Sequence, residues 1–203
     1  YGTIPYLFAN VKLSFTDILF ETVSGFTTTG ASILTNIESI NSSLLLWRST
    51  TQWLGGMGII VLTITVLPLL GSGGINLFKA ESPGPTADRL TPRFQDTAKL
   101  LWGVYSGLTL IETALLYMSG LSFYSALNHS LTTLSTGGFS VLNTSVSEMT
   151  QSAKWVIIIF MFIAGTSFTL IFKSFQNIKS LFASTEFKFY SFIVISTSLI
   201  FIP

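Results

Sequence analysis

The stretch Leu44 to Leu70, LLLWRSTTQWLGGMGIIVLTITVLPLL, constrains this chain more than any other. It exceeds the roughly 20 apolar residues with which a helix crosses the hydrocarbon core of a bilayer. Arg48 and Gln52 lie near its start and Pro68 near its end. Ala98 to Leu121 is a second such stretch, with Glu112 as its internal charge, and Ala153 to Phe172 a third, with Lys154 at its edge. A fourth starts after Glu186, from Phe187 to Ile202. Four apolar runs of this kind point to an all-α membrane protein. The charge content agrees: Asp, Glu, Lys and Arg make up 9% of the 203 residues, against about 25% in a soluble domain.

The same composition closes off several kinds of chemistry. A net charge of +1 gives no electrostatic basis for binding nucleic acid. The absence of Cys removes disulfides, thiolate catalysis and Cys-ligated metals, and a single histidine, His129, leaves little for a His-rich metal site or a triad. The sequence starts at Tyr1 rather than Met and stops within the apolar run SLIFIP, so it reads as an internal fragment truncated at both ends.

Two apolar segments are too short to span. Leu13 to Gly25 and Leu121 to Leu134 have the length of re-entrant elements. A helix of that size reaches about halfway across the hydrocarbon. Each runs into a Thr/Gly stretch, FTTTGAS in the first case and LSTGGFS in the second. The polar linker Gly71 to Thr97 holds ESPGPTADRLTPR, whose three prolines rule out a membrane helix. Lys79, Arg89, Arg93 and Lys99 cluster in or beside it, and Lys173, Lys179 and Lys188 form a second basic group; only Lys12, Arg48 and Lys154 lie on the other side. The positive-inside rule puts both clusters in the cytoplasm and both Thr/Gly stretches toward the outside.

An offset of 108 residues aligns the two short segments without a gap: Ser14-Phe15 with Ser122-Phe123, Leu19 with Leu127, Thr28 with Thr136, Gly30 with Gly138, Ser32 with Ser140, Leu34 with Leu142 and Trp47 with Trp155. Each unit reads as half-helix, Thr/Gly loop, polar loop and Trp-led span. A span precedes the second unit, and the matching span of the first is expected upstream of Tyr1. The organisation expected is repeat 1 over 1–70, a cytoplasmic linker over 71–97, repeat 2 over 98–173, a second linker over 174–186, and the first span of a third repeat from 187 to 203.

Non-helical backbone within a membrane leaves peptide groups unpaired, at several kcal/mol each, unless protein buries it or it lines a water-filled cavity. Carbonyls facing such a cavity can replace an ion's hydration shell. Glycine admits the φ > 0 conformations that let successive carbonyls point one way. Neither copy places an acid between its half-helix end and its glycine, which suits K⁺ as the ion. A lone TTTG would mark an ordinary exposed turn; its recurrence at matched spacing is what favours an ion pathway. His129 reads as a packed or surface histidine. Glu112 is costly at membrane depth and serves either a structural hydrogen bond or the ion path. Arg48, near a helix end, reads as a structural residue that can snorkel. Gly103 with Gly107, and GGMG over Gly55 to Gly58, read as close helix packing. GSGG, Gly71 to Gly74, is no phosphate loop because no GK[ST] follows.

ETVSGFTTTGAS, WRSTTQWLGGMGIIVLTITVLPLLG, FKAESPGP, LTPR and ALNHSLTTLSTGGFS together resemble the TrkH/TrkG potassium uptake proteins of bacteria, relatives of KtrB in the Trk/Ktr/HKT superfamily. The resemblance covers essentially the whole chain, and the AESPGP linker favours the TrkH branch. It implies four span–half-helix–span repeats around one pathway, like a potassium channel tetramer fused into one chain. It also implies that Thr28, Thr29 and Gly30, with Thr136, Gly137 and Gly138, coordinate K⁺ through backbone carbonyls. Implied further are a multi-pass protein of the bacterial inner membrane in contact with lipid, a homodimer, and a cytoplasmic nucleotide-sensing partner of the TrkA type. The chain is then no enzyme and needs no organic cofactor. A Na⁺ or poorly selective cation permease of the same build remains an alternative, with a non-conducting scaffold or a membrane enzyme further off.

Overall fold

The structure, a computed structural model, describes residues 1–9, 13–69 and 93–200, with side chains for all of these except 59–69, 93–97, 169 and 176. Gly71 to Pro92, with Lys79, Arg89 and GSGG, lies outside the described residues, as do Lys12 and the end of the sequence beyond Ile200. The described residues form helices and no strand: α1 (Ile4–Phe8), α2 (Phe15–Phe26), α3 (Ser42–Leu69), α4 (Arg93–Met118), α5 (Phe123–Leu134), α6 (Gln151–Ala164), α7 (Phe168–Gln176), α8 (Lys179–Ala183) and α9 (Thr185–Ile200).

The two half-helices have the expected length and place. Both α2 and α5 are 12 residues long, about 18 Å of helix, and their ends match at the same 108-residue offset. Each starts at a serine N-cap. The Ser14 hydroxyl accepts from the Asp17 N–H at 3.2 Å while the Asp17 carboxylate accepts from the Ser14 N–H at 3.0 Å, a complete capping box. The Ser122 hydroxyl accepts from the Ser125 N–H at 3.2 Å. Replacing either serine with alanine is expected to cost about 1 kcal/mol. A thermal melt of the full-length protein in mild detergent should show the two losses adding in the double variant, since the caps share no partner.

The long helices surround these short ones. α3 has 28 residues and α4 has 26, about 42 and 39 Å. Among the described residues one helical stretch, Ala98–Met118, is both long and apolar enough to cross a membrane. α5 is packed by α3, α4 and α6, so Ala126 and every residue from Asn128 to Leu134 are buried. α2 packs on α3 and leaves Phe15, Leu19, Phe20, Val23 and Phe26 exposed. One core joins Met57, Tyr105, Leu108, Leu134, Phe160, Ala164 and Ile171 at the C-terminal end of α5.

In lipid, apolar contact alone selects weakly between helix partners, and close fit with polar pairing does more. α4 supplies such pairs. Its Thr113 shares a 2.5 Å hydroxyl contact with Ser130 of α5, its Thr109 accepts from the Trp53 indole of α3 at 3.1 Å, and the Tyr105 hydroxyl donates to the Trp53 carbonyl at 3.1 Å. Beyond the Thr/Gly loops, Asn143 ties the two repeats together. Its side chain accepts from the Ile37 N–H at 2.7 Å, and its own N–H donates to Glu38 at 3.0 Å.

Three expectations need revision. The span from Ala153 to Phe172 is broken between α6 and α7, at Gly165–Ser167. The Phe162 carbonyl accepts instead from the hydroxyls of Thr166 and of Tyr190 on α9, both at 3.2 Å, while the Thr166 N–H turns to Ile163. Tyr190 thus takes the place of a helical bond, and only glycine at 165 leaves room for its hydroxyl. Secondly, Gly103 and Gly107 do not mediate close packing among the described residues: no heavy atom lies within 4 Å of a Cβ built at either. Gly55 and Gly56 do, against the Phe26 carbonyl and against Ser135 and Tyr105. Thirdly, α4 begins at Arg93, so residues 93–97 continue the helix rather than the linker. Residues 174–186, expected as a linker, are themselves largely helical, in the end of α7, in α8 and in the start of α9.

Candidate functional site

The loops that follow α2 and α5 share one unusual backbone. Thr28 has φ 53° and Gly30 φ 74°; Thr136 has φ 54° and Gly138 φ 80°. A left-handed residue costs roughly 1–2 kcal/mol in any L-amino acid, and for a β-branched one it is a true outlier. The strain is held by hydrogen bonds back to the helix that precedes each loop. The N–H groups of Thr28, Thr29 and Gly30 donate to Gly25 O at 3.0 Å and to Ser24 O at 3.0 and 3.5 Å. Those of Thr136, Gly137 and Gly138 donate to Thr133 O at 2.9 Å and to Thr132 O at 2.9 and 3.3 Å. Every partner matches at the 108-residue offset.

These bonds satisfy carbonyls that a helix C-terminus otherwise leaves open, and they turn all three loop donors backward. No described residue donates a hydrogen bond to the carbonyl oxygens of Thr27 to Gly30 or of Ser135 to Gly138. A chain of uniform hand alternates its groups from side to side; alternating the sign of φ turns successive carbonyls to a common side. Such a backbone would offer a short row of oxygen donors without side-chain charge, at the partly negative end of a helix. The two rows abut: a Cβ at Gly30 would overlap the Gly137 carbonyl oxygen. The six residues singled out in the sequence, Thr28, Thr29, Gly30, Thr136, Gly137 and Gly138, therefore form two equivalent loops that meet through Gly30 and Gly137.

Behind the loops stands a polar layer that the sequence reading missed. Arg48 does not snorkel. It is 1% exposed and ion-paired at 3.2 Å with Glu21, which is 0% exposed. The other Glu21 oxygen accepts from the Ser32 hydroxyl and the Ile33 N–H, both at 2.7 Å, and Arg48 also donates to Ser32 at 3.1 Å. Charge at membrane depth favours a buried partner over a distant interface, and α2 supplies one within reach. In the second repeat His129 stands at the position of Glu21, and its Nε2 meets the Ser140 hydroxyl at 3.2 Å. Ser32 and Ser140 each accept from the N–H two residues on, at 3.2 and 3.0 Å. Both loops are thus fastened beyond their glycine by one polar residue of the preceding helix. His129 is a packed residue, as expected. The signal for this layer was present: Glu21 and His129 align at the offset that matched Ser32 to Ser140, and Arg48 and Gln52, four apart, share one helix face.

Gln52 is fully buried and sits between the loops. Its Oε1 accepts from the Phe139 N–H at 3.1 Å, and a Cβ at Gly137 would overlap its amide group. Glu112 stands on α4. It is 0% exposed, and neither carboxylate oxygen has a hydrogen-bond partner among the described residues. Thr133 is beside it, but the Thr133 hydroxyl already donates to His129 O at 2.7 Å.

Comparison with known proteins points to one family. The model of a family described as TrkH, cation transport protein, matches residues 1–201. The chain is 39% identical over 179 residues to the Trk system potassium uptake protein TrkH of Vibrio parahaemolyticus, covering 87% of this chain and 37% of that protein. It is 37% identical over 196 residues to the Trk system potassium uptake protein TrkG of Escherichia coli, covering 95% of this chain and 40% of that protein. The crystal structure of the potassium transporter TrkH from Vibrio parahaemolyticus has a TM-score of 0.83 at 33% identity, over 98% of this chain and 41% of that one. The chain spans about two fifths of the length of these proteins.

Proposed function

The chain belongs to the TrkH family of cation transport proteins, and from that premise we propose that it supplies two filter segments, Thr28–Gly30 and Thr136–Gly138, to a potassium uptake pathway. The observation that carries this reading is the alternation of left-handed residues, Thr28 with Gly30 and Thr136 with Gly138. Strain of that kind persists where surrounding structure enforces it, and it gathers at functional positions. Its use here is to aim carbonyls at an ion, in place of the hydration shell that the ion sheds. K⁺ enters as cargo, and no covalent step is involved. The C-terminal ends of α2 and α5 add a favourable dipole for a cation.

The protein of which this is a part is proposed to be a multi-pass protein of the bacterial inner membrane, with its Thr/Gly loops toward the outside. The exposed Lys173, Lys179 and Lys188 would face the cytoplasm. A homodimer working with a cytoplasmic TrkA-type protein is part of the same proposal, as is the absence of an organic cofactor. The test is ion flux in liposomes containing the full-length protein. K⁺ is expected to pass at least about tenfold faster than Na⁺, a difference of about 1.4 kcal/mol at the rate-limiting barrier. Equal fluxes would favour the poorly selective permease instead.

A further inference from the structure

The second loop is gripped from α3 on both the side chain and the backbone of one residue. Phe139, which directly follows Gly138, is 4% exposed. Its ring lies under the Arg48 guanidinium, 4.1 Å from the charge centre to the ring centroid. Its N–H donates to Gln52 at 3.1 Å. Arg48 and Gln52 are one turn apart on the same face of α3, so one helix of the first repeat holds both the side chain and the backbone of Phe139. Arg48 is in turn fixed by Glu21, which fastens the first loop through Ser32. The Gln52 amide also lies flat enough on Gly137 that no side chain could stand there. Gly137 is the residue whose carbonyl oxygen meets Gly30.

Packing alone does not explain Gln52. A leucine of about the same size would fill the space without leaving an amide donor, Nε2, buried and unpartnered among the described residues. Nor does the repeat explain it. At the 108-residue offset Arg48 corresponds to Val156, Gln52 to Phe160 and Phe139 to Ala31. Among the described residues the grip occurs once, at the junction of the two loops.

From this we infer that Gln52, with Arg48, is a positioning device for ion selection. It sets the distance between the Gly137 carbonyl and Gly30 by holding Phe139 from both sides. The inference rests on the filter reading above. An ion smaller than K⁺ is rejected to the extent that the carbonyls do not close in on it, and a strut between neighbouring segments limits that closure.

The test uses the full-length protein in liposomes, with K⁺ and Na⁺ fluxes measured on equal amounts of inserted protein. Gln52→Leu keeps the volume and removes the acceptor; Phe139→Leu removes the ring and keeps the N–H. Gly30→Ser serves as the reference for the filter itself. The K⁺/Na⁺ ratio is expected to fall about threefold to tenfold in Gln52→Leu, the range that one neutral hydrogen bond sets, and to fall in Phe139→Leu as well. The additional melting temperature conferred by K⁺ over Na⁺ on the purified protein should shrink in parallel. If Gln52→Leu does not reach the membrane, Phe139→Leu and its ion-specific melting shift decide. A wild-type ratio in the Gln52 and Phe139 variants, with a lowered ratio in Gly30→Ser, overturns the inference and leaves the filter standing. A wild-type ratio in all three removes both.

Discussion

Gly30→Ser in the full-length protein is expected to lower the discrimination of K⁺ from Na⁺ by about tenfold. Two features of the position act together. Its φ of 74° is open to glycine and strained for serine, by roughly 1–2 kcal/mol. The added Cβ would also meet the Gly137 carbonyl oxygen, so the backbone of both loops must shift. Serine can be accommodated only by changing the hand of residue 30 or by moving an oxygen of the row beside it. About 1.4 kcal/mol of altered preference is a factor of ten, which sets the scale. Gly138 has a φ of 80° but no heavy atom within 4 Å of its Cβ position among the described residues. Gly138→Ser should therefore disturb this pair of loops less. The readout is the K⁺/Na⁺ flux ratio in liposomes, and a wild-type ratio in Gly30→Ser would sink the filter assignment.

Removing one member of the Glu21–Arg48 pair should have the largest effect on the amount of folded protein. Both groups are buried, and breaking such a pair costs about 3–5 kcal/mol because it strands a charge. Glu21→Gln leaves the guanidinium without its counter-charge, among neutral groups that include Ser32 and the Phe139 ring; Arg48→Met leaves an uncompensated carboxylate beside Ser32 and the Ile33 N–H. Each single variant should yield much less monodisperse full-length protein in mild detergent, with a melting temperature lowered by many degrees. The double variant Glu21→Gln/Arg48→Met should recover part of the loss, since neither charge remains to be stranded. A double variant no better than the worse single would show that the damage comes from packing rather than from the orphaned charge.

What could be read in the sequence was whatever repeats or whatever depends on neighbours along the chain. The ends of α2 and α5, their serine caps and the matched positions of Thr28 and Thr136 all follow from one offset, because each is set within a dozen residues of backbone. The left-handed glycines were legible for the same reason. Arg48 was misread because its partner is 27 residues away on another helix, and an isolated charge near a helix end looks the same whether it reaches water or a buried acid. The break at Gly165–Ser167 was hidden in an apolar run that continues through it; it depends on Tyr190, on a different helix. Gly103 and Gly107 match a packing pattern, but such a pattern names one half of a contact and says nothing about whether the other half is there. Gln52 was legible only as a polar residue near the start of a span, and the approach of Phe139 is what gives its side chain a use.

The backward-turned amides of the two loops have a consequence for charge. The six N–H groups from Thr28 to Gly30 and from Thr136 to Gly138 are all engaged by α2 and α5, so along these stretches no backbone N–H is left to meet chloride, and what the backbone presents is carbonyl oxygen. On the filter reading, discrimination against anions would begin in the handedness of the backbone itself, ahead of any distinction between one alkali cation and another, and would require no acidic side chain in either loop.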